Sequence, residues 1–146
     1  MPNYYLLLAG LFNICAALLH IAVIVGGPRW YRMFGAGDAM ARMAEQKRLA
    51  PTIITLGIAL VLLIWGAYAW SAAGLLISLP FTKVVLTVVT AVYLLRGIGG
   101  FIAPWLSKSE LIQQNSLKFW LWSSLICLAI GLCHLKGLSD QWTFLR

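Results

Sequence analysis

Apolar positions in this chain neither alternate nor recur as one stripe of a helix. They run on almost unbroken through four stretches, at about residues 4–25, 51–70, 83–103 and 119–136. A helix needs about 20 mostly apolar residues to cross the hydrocarbon core of a bilayer. Continuous rather than alternating apolar character excludes the strands of a closed barrel. The pattern therefore predicts an all-α membrane protein: four transmembrane helices forming one domain over residues 1–146. The first stretch is expected to stay in the protein, since Met-Pro-Asn-Tyr-Tyr offers no basic flank and the run is too long for a signal segment.

The polar positions gather between these stretches. The largest such segment, Gly26 to Ala50, opens with Gly26-Gly27-Pro28, which ends a helix. Arg29-Trp30-Tyr31-Arg32 then makes a basic and aromatic interfacial anchor, and Gly35-Ala36-Gly37 breaks the chain again. Asp38 is a suitable N-cap for a short amphipathic helix to about Leu49. On it Asp38 and Arg42, or Arg42 and Glu45, are spaced for ion pairs. Met40, Met43 and Ala44 would face the membrane or the bundle, and Pro51 can start the next helix. The second connection is short and apolar, ending in Leu79-Pro80-Phe81; the third runs in polar residues from Pro104 to Ser116.

Composition strengthens the membrane reading. The chain is 62% hydrophobic and only 10% charged, whereas a soluble domain carries roughly a quarter charged residues. The net charge of +7 would suggest nucleic acid in a soluble protein, but here basic loops on the cytoplasmic side explain it. Arg29, Arg32, Arg42, Lys47, Arg48, Arg96, Lys108 and Lys118 fall toward one side, and Lys83, Lys136 and Arg146 toward the other. This predicts both termini outside and the first loop in the cytoplasm, as in a bacterial inner membrane. Trp30, Trp105, Trp120 and Trp122 then form an inner aromatic belt, with Trp70 and Trp142 at the outer one. Cys15, Cys127 and Cys133 show no CxxC spacing and indicate neither a metal knuckle nor a redox motif.

Polar side chains inside the hydrocarbon are costly, which makes them the first functional candidates. Asn13 and His20 share a face of the first helix; Thr90, Tyr93, Arg96, Gly97 and Gly100 form a stripe on the third; Ser124, Cys127, Gly131 and His134 form one on the fourth. Stripes of small and weakly polar residues are also what packed membrane helices present to one another. At 1.5 Å per residue, His20, Arg96 and Ser124 all lie roughly 8–12 Å from the inner ends of their helices. Arg96 either snorkels to the interface or lines a polar cavity. Glu45 is the acidic residue of the short helix placed to pair with it. Asn13 and Tyr93 would close such a cavity from deeper in the membrane. His134 falls near the outer end, and its separation from His20 argues against a haem held by both. No carboxylate lies inside any of the four stretches, so cation exchange on a buried acid has no residue to use. The candidates for a zinc site are scattered. A copper(I) site from Met33, Met40, Met43 and His20 competes with simple packing of those methionines. No cofactor is expected.

The stretch HIAVIVGGPRWYRMFGAGDAMARMAE (residues 20–45), together with YLLRGIGG (93–100), resembles a group of small four-helix inner-membrane proteins of bacteria. The resemblance spans most of the chain. It implies the fold and the location, and it brings no catalytic residues. The expectation is a binding or transport protein for an amphiphilic or anionic small molecule. Arg96, His20, Tyr93, Asn13, Ser124 and Glu45 would form its site, and membrane lipids would surround it as a homo-oligomer. The alternatives are an accessory subunit of a larger membrane complex and, third, a membrane-embedded enzyme.

Overall fold

The computed structural model describes residues 3–145 (for Leu111, the backbone only). The described residues form helices and connections with no strand: α1 (Tyr4–Gly26), α2 (Pro28–Met33), α3 (Gly37–Glu45), α4 (Ala50–Ala72), α5 (Thr82–Leu106), α6 (Glu110–Gln113) and α7 (Leu117–Gln141). Four of these, α1, α4, α5 and α7, are long and apolar enough to cross a membrane. At 23 to 25 residues each, they span about 35–37 Å. Between 28% and 33% of each apolar window is buried inside the bundle, so most of the apolar surface must be covered by lipid. This is a multi-pass membrane protein.

The inside and outside of the bundle follow from the same economy. Large aliphatic residues such as Ile53, Leu60, Ile64, Val84 and Leu95 point outward. Small and polar ones, including Asn13, Ala17, Thr55, Ala59, Thr90, Ser124 and His134, are buried. Lipid tails are as apolar as leucine, so close packing and hydrogen bonds between helices drive association rather than burial of apolar area.

Two tight pairs result. Helix α1 packs chiefly on α4 and α5 chiefly on α7, while smaller α1–α7 and α4–α5 faces join the pairs into a four-cornered bundle. Glycine sets both close approaches. A Cβ at Gly66 would stand 3.3 Å from the Gly10 carbonyl oxygen of α1, and one at Gly97 would stand 2.9 Å from the backbone nitrogen of Leu128 on α7. Between the pairs, Ala17, Ala59, Leu62, Val89, Tyr93 and Ile130 form the central core.

Local signals account for the helix ends. The Asn3 side chain caps α1 by accepting from the Leu6 N–H at 3.0 Å, and its amide donates to the Gly137 carbonyl at 3.2 Å, tying the start of α1 to the end of α7. Gly27, at φ 66°, ends α1 and begins α2. The Ser116 hydroxyl caps α7 by accepting from the Phe119 N–H at 3.1 Å.

Two ends run past their sequence-based limits. Helix α5 continues through Pro104 to Leu106, because one proline near the last turn removes a single donor and leaves the remaining turn intact. Helix α7 reaches Gln141 rather than residue 136. Lys136 and Asp140 form an (i, i+4) ion pair there, and Lys83 sits 4.1 Å over the Trp142 ring, which continues the helix past the apolar run. The first loop folds as two short helices. Tyr31 and Ala41 bury themselves against Val23 of α1.

Candidate functional site

Two polar assemblies lie within the bundle, and they divide the residues expected to form one site. The first sits where α1, α5 and α7 meet. Asn13 is wholly buried. Its amide nitrogen donates to the Ala9 carbonyl at 2.9 Å within α1 and to His134 Nε2 at 2.9 Å on α7. Its carbonyl oxygen accepts from the Tyr93 hydroxyl of α5 at 2.7 Å. The Tyr93 ring also stacks on His134, with centroids 5.8 Å apart and planes 15° from parallel. It meets Trp65 of α4 edge-on at 5.6 Å. With both amide hydrogens of Asn13 engaged, Nε2 of His134 must accept, which places the imidazole proton on Nδ1. That Nδ1–H has no hydrogen-bond partner among the described residues.

The second assembly occupies the α5–α7 seam toward the α6 end of the bundle. Arg96 leaves α5 and runs toward Gly100, one turn further along. Its guanidinium lies 4.9 Å from the centre of the Trp120 ring, and Nη2 donates to the Ser123 hydroxyl at 3.2 Å. Ser123 in turn donates to the Trp120 carbonyl at 3.3 Å. The other terminal nitrogen, Nη1, is buried and without a partner, as is the hydroxyl oxygen of wholly buried Ser124. Both converge on one point: a Cβ on Gly100 would stand 2.1 Å from Ser124 Oγ and 2.4 Å from Arg96 Nη1. Among the described residues no carboxylate pairs with Arg96. Trp120 lies three residues inside α7, about 5 Å along the axis. The guanidinium therefore snorkels toward the interface, yet stops in the seam between two helices instead of reaching water.

No family model, curated protein or solved structure matches this chain. Function must be read from these two assemblies.

The expected six-residue cavity is not assembled. Asn13 and Tyr93 belong to the central cluster, and Arg96 and Ser124 to the seam. His20 stands apart: its Nδ1–H donates to the Ala16 carbonyl of its own helix at 2.7 Å, and no hydrogen bond or ring contact links it to α5 or α7. The local carbonyl satisfies it more cheaply than a partner across the bundle. Glu45 is also elsewhere. Arg32, from α2, reaches Glu45 at 2.9 Å and Asp38 at 3.0 Å, in place of the expected pairs with Arg42 or Arg96. Those two hydrogen bonds, Glu45 first, raise the pKa of the Arg32 guanidinium above its ordinary value. The pairing fastens α2 to α3 at the surface and leaves Arg96 to find another anion.

Sequence reasoning assigned His134 to the outer end, and took Trp120 for a belt residue only. Extending the fourth helix over Lys136–Asp140, an (i, i+4) pair of opposite charge, would have moved His134 inward to the depth of Asn13. Trp120, Ser123 and Ser124 follow three-and-four spacing, which marks one face.

A cavity of about 620 Å3 lies at the opposite end of the bundle, lined by Ser71, Leu79, Pro80, Thr82, Gln141 and Phe144 among others. Two of its hydroxyls hold the α4–α5 connection. Ser71 donates to the Ile77 carbonyl at 2.7 Å and accepts from the Leu79 N–H at 3.0 Å; Thr82 donates to the Leu79 carbonyl at 2.6 Å. These groups are committed to shaping the loop.

Proposed function

We propose that this chain is a small integral membrane protein that binds the anionic group of a small molecule in the α5–α7 seam. Arg96 supplies the charge, Ser124 a second donor, and Trp120 with Ser123 holds the guanidinium in place. A single observation carries the reading: two buried polar atoms without partners, Arg96 Nη1 and Ser124 Oγ, converge over the one position on α5 where a side chain is missing. A buried, unpaired polar group costs free energy, and a fixed charge costs more. Arginine cannot reduce that cost by giving up its proton. An oxyanion, carboxylate or phosphate, satisfies both atoms at once. The proposal includes the orientation: a bacterial inner membrane, termini outside, with the seam opening toward the cytoplasmic leaflet and the loop cations Arg29, Arg42, Lys47 and Arg48 beside anionic headgroups.

The test is direct binding of a panel of carboxylate- and phosphate-bearing molecules to purified protein in phosphatidylcholine nanodiscs. Arg96→Gln is expected to lose binding of the anions that the native protein retains, by about tenfold or more, since a hydrogen bond to a charged group contributes about 1.5–3 kcal/mol. Arg96→Lys is expected to fall between, because a point charge lacks the planar fork. Equal binding by the native protein and Arg96→Gln would overturn the assignment.

A further inference from the structure

The seam that holds the anion-binding atoms has no width to spare. A Cβ at Gly97 would stand 2.9 Å from the Leu128 backbone, one at Gly131 2.9 Å from the Leu94 side chain, and one at Gly100 would collide with Ser124 and Arg96. An oxyanion can reach Arg96 Nη1 there, but the body of a ligand cannot follow it between α5 and α7. One adjacent position is different. Gly99, three residues from Arg96, is exposed, and nothing lies within 4 Å of where its Cβ would be. Leu95 and Ile102, one turn to either side of it, stand 72% and 46% exposed. On the neighbouring helix Trp122 and Leu125 are 60% and 50% exposed. Gly99 is thus the floor of a shallow trough on the lipid-facing side of α5, walled by apolar side chains.

Resting on the anion-site reading above, we infer that the ligand is an amphiphile taken laterally from the cytoplasmic leaflet. Its carboxylate or phosphate head reaches Arg96 and Ser124, and its alkyl chain lies in the bilayer along the Gly99 trough. The position of the cation suits this. The guanidinium sits at the depth of Trp120, about 5 Å inside the end of α7, where aromatic residues mark the boundary between headgroups and hydrocarbon. A lipid-borne anion is already concentrated at that level. A free anion would have to leave water for a site facing apolar side chains.

Electron paramagnetic resonance of doxyl-labelled stearate in phosphatidylcholine nanodiscs tests the idea through the motionally restricted fraction of the label. Native protein is expected to show a restricted component that unlabelled palmitate displaces and that inorganic phosphate or acetate at the same concentration does not. Gly99→Leu, which fills the trough without touching the guanidinium, is expected to lower the restricted fraction to that of Arg96→Gln. Displacement by phosphate or acetate as effective as by palmitate would sink lateral entry and leave the anion site standing. A Gly99→Leu protein that restricts the label as the native one does would have the same meaning. An Arg96→Gln protein that restricts the label fully would remove both readings. Should Gly99→Leu fail to fold, the competition between palmitate and phosphate on native protein still decides the question.

Discussion

Asn13 is the residue on which three helices converge, and its amide is fully used: two donors to Ala9 and His134, one acceptor to Tyr93. A hydrogen bond between membrane helices contributes only about 0.6 kcal/mol on average, with a maximum near 1.7. Tyr93→Phe, which deletes one bond and keeps the ring stacking, is therefore expected to cost about 0.5–1.5 kcal/mol. Asn13→Ala removes all three bonds and strands the Tyr93 hydroxyl and His134 Nε2 in hydrocarbon. It should cost more, about 2–3 kcal/mol, the penalty of buried groups left unmade. Reversible unfolding in mixed micelles measures both, and equal losses in the two variants would contradict the central role given to the amide. At this scale the sequence identified costly residues but did not show their pairing. Asn13, Tyr93, Arg96 and Ser124 stand out because each is polar within an apolar run. His20 stands out for the same reason, although a carbonyl of its own helix satisfies it. Composition and depth do not distinguish a local partner from a distant one.

Among elements, the α5–α7 pair depends on missing side chains, and the glycines of α5 divide by what faces them. Gly97 lies against the Leu128 backbone, whereas Gly99 faces open space. Backbone cannot swing aside as a flexible side chain can, so Gly97→Ala forces the helices apart. It is expected to destabilise the fold by about 1–3 kcal/mol, the usual cost of overpacking. Gly99→Ala adds a methyl where nothing obstructs it and restricts the unfolded chain. It should be neutral or stabilising by about 0.5–1 kcal/mol. Thermal denaturation of the two variants in the same detergent separates them, and a similar loss in both would show that the seam is not set by Gly97. The four spans were legible because uninterrupted apolar runs of this length admit one structure in lipid. Their ends were less so. Both α5 and α7 outrun their apolar stretches, α5 through a tolerated proline and α7 on an ion pair at Lys136 and Asp140. The extra turn of α7 carries a functional consequence, since it moves His134 from the rim to the centre of the bundle.

For the molecule as a whole, the asymmetry of charge bears on which way it sits in the membrane. The connections α1–α4 and α5–α7 share one end, where Asn115 on the second donates to the Gly35 carbonyl on the first at 3.2 Å. Arg29, Arg32, Arg42, Lys47, Arg48, Lys108 and Lys118 all belong to that end, and the Arg96 side chain points toward it. Lys83 and Lys136 belong to the other end, while Arg146 lies outside the described residues. Acidic residues do not cancel the bias in the sense that matters, because orientation follows the count of Lys and Arg near the spans. Lys136 is also paired with Asp140, and Lys83 lies over Trp142. The basic end is therefore expected to be cytoplasmic, with both termini outside. A cysteine introduced at exposed Asp38, on a background lacking Cys15, Cys127 and Cys133, should resist a membrane-impermeant maleimide in intact cells and react once the membrane is opened. One at exposed Ser78, in the α4–α5 connection, should react in intact cells. The reverse labelling pattern would place the Arg96 seam in the outer leaflet. An amphiphile binder would then draw on the lipids of the opposite face, so the same experiment decides which leaflet supplies the ligand.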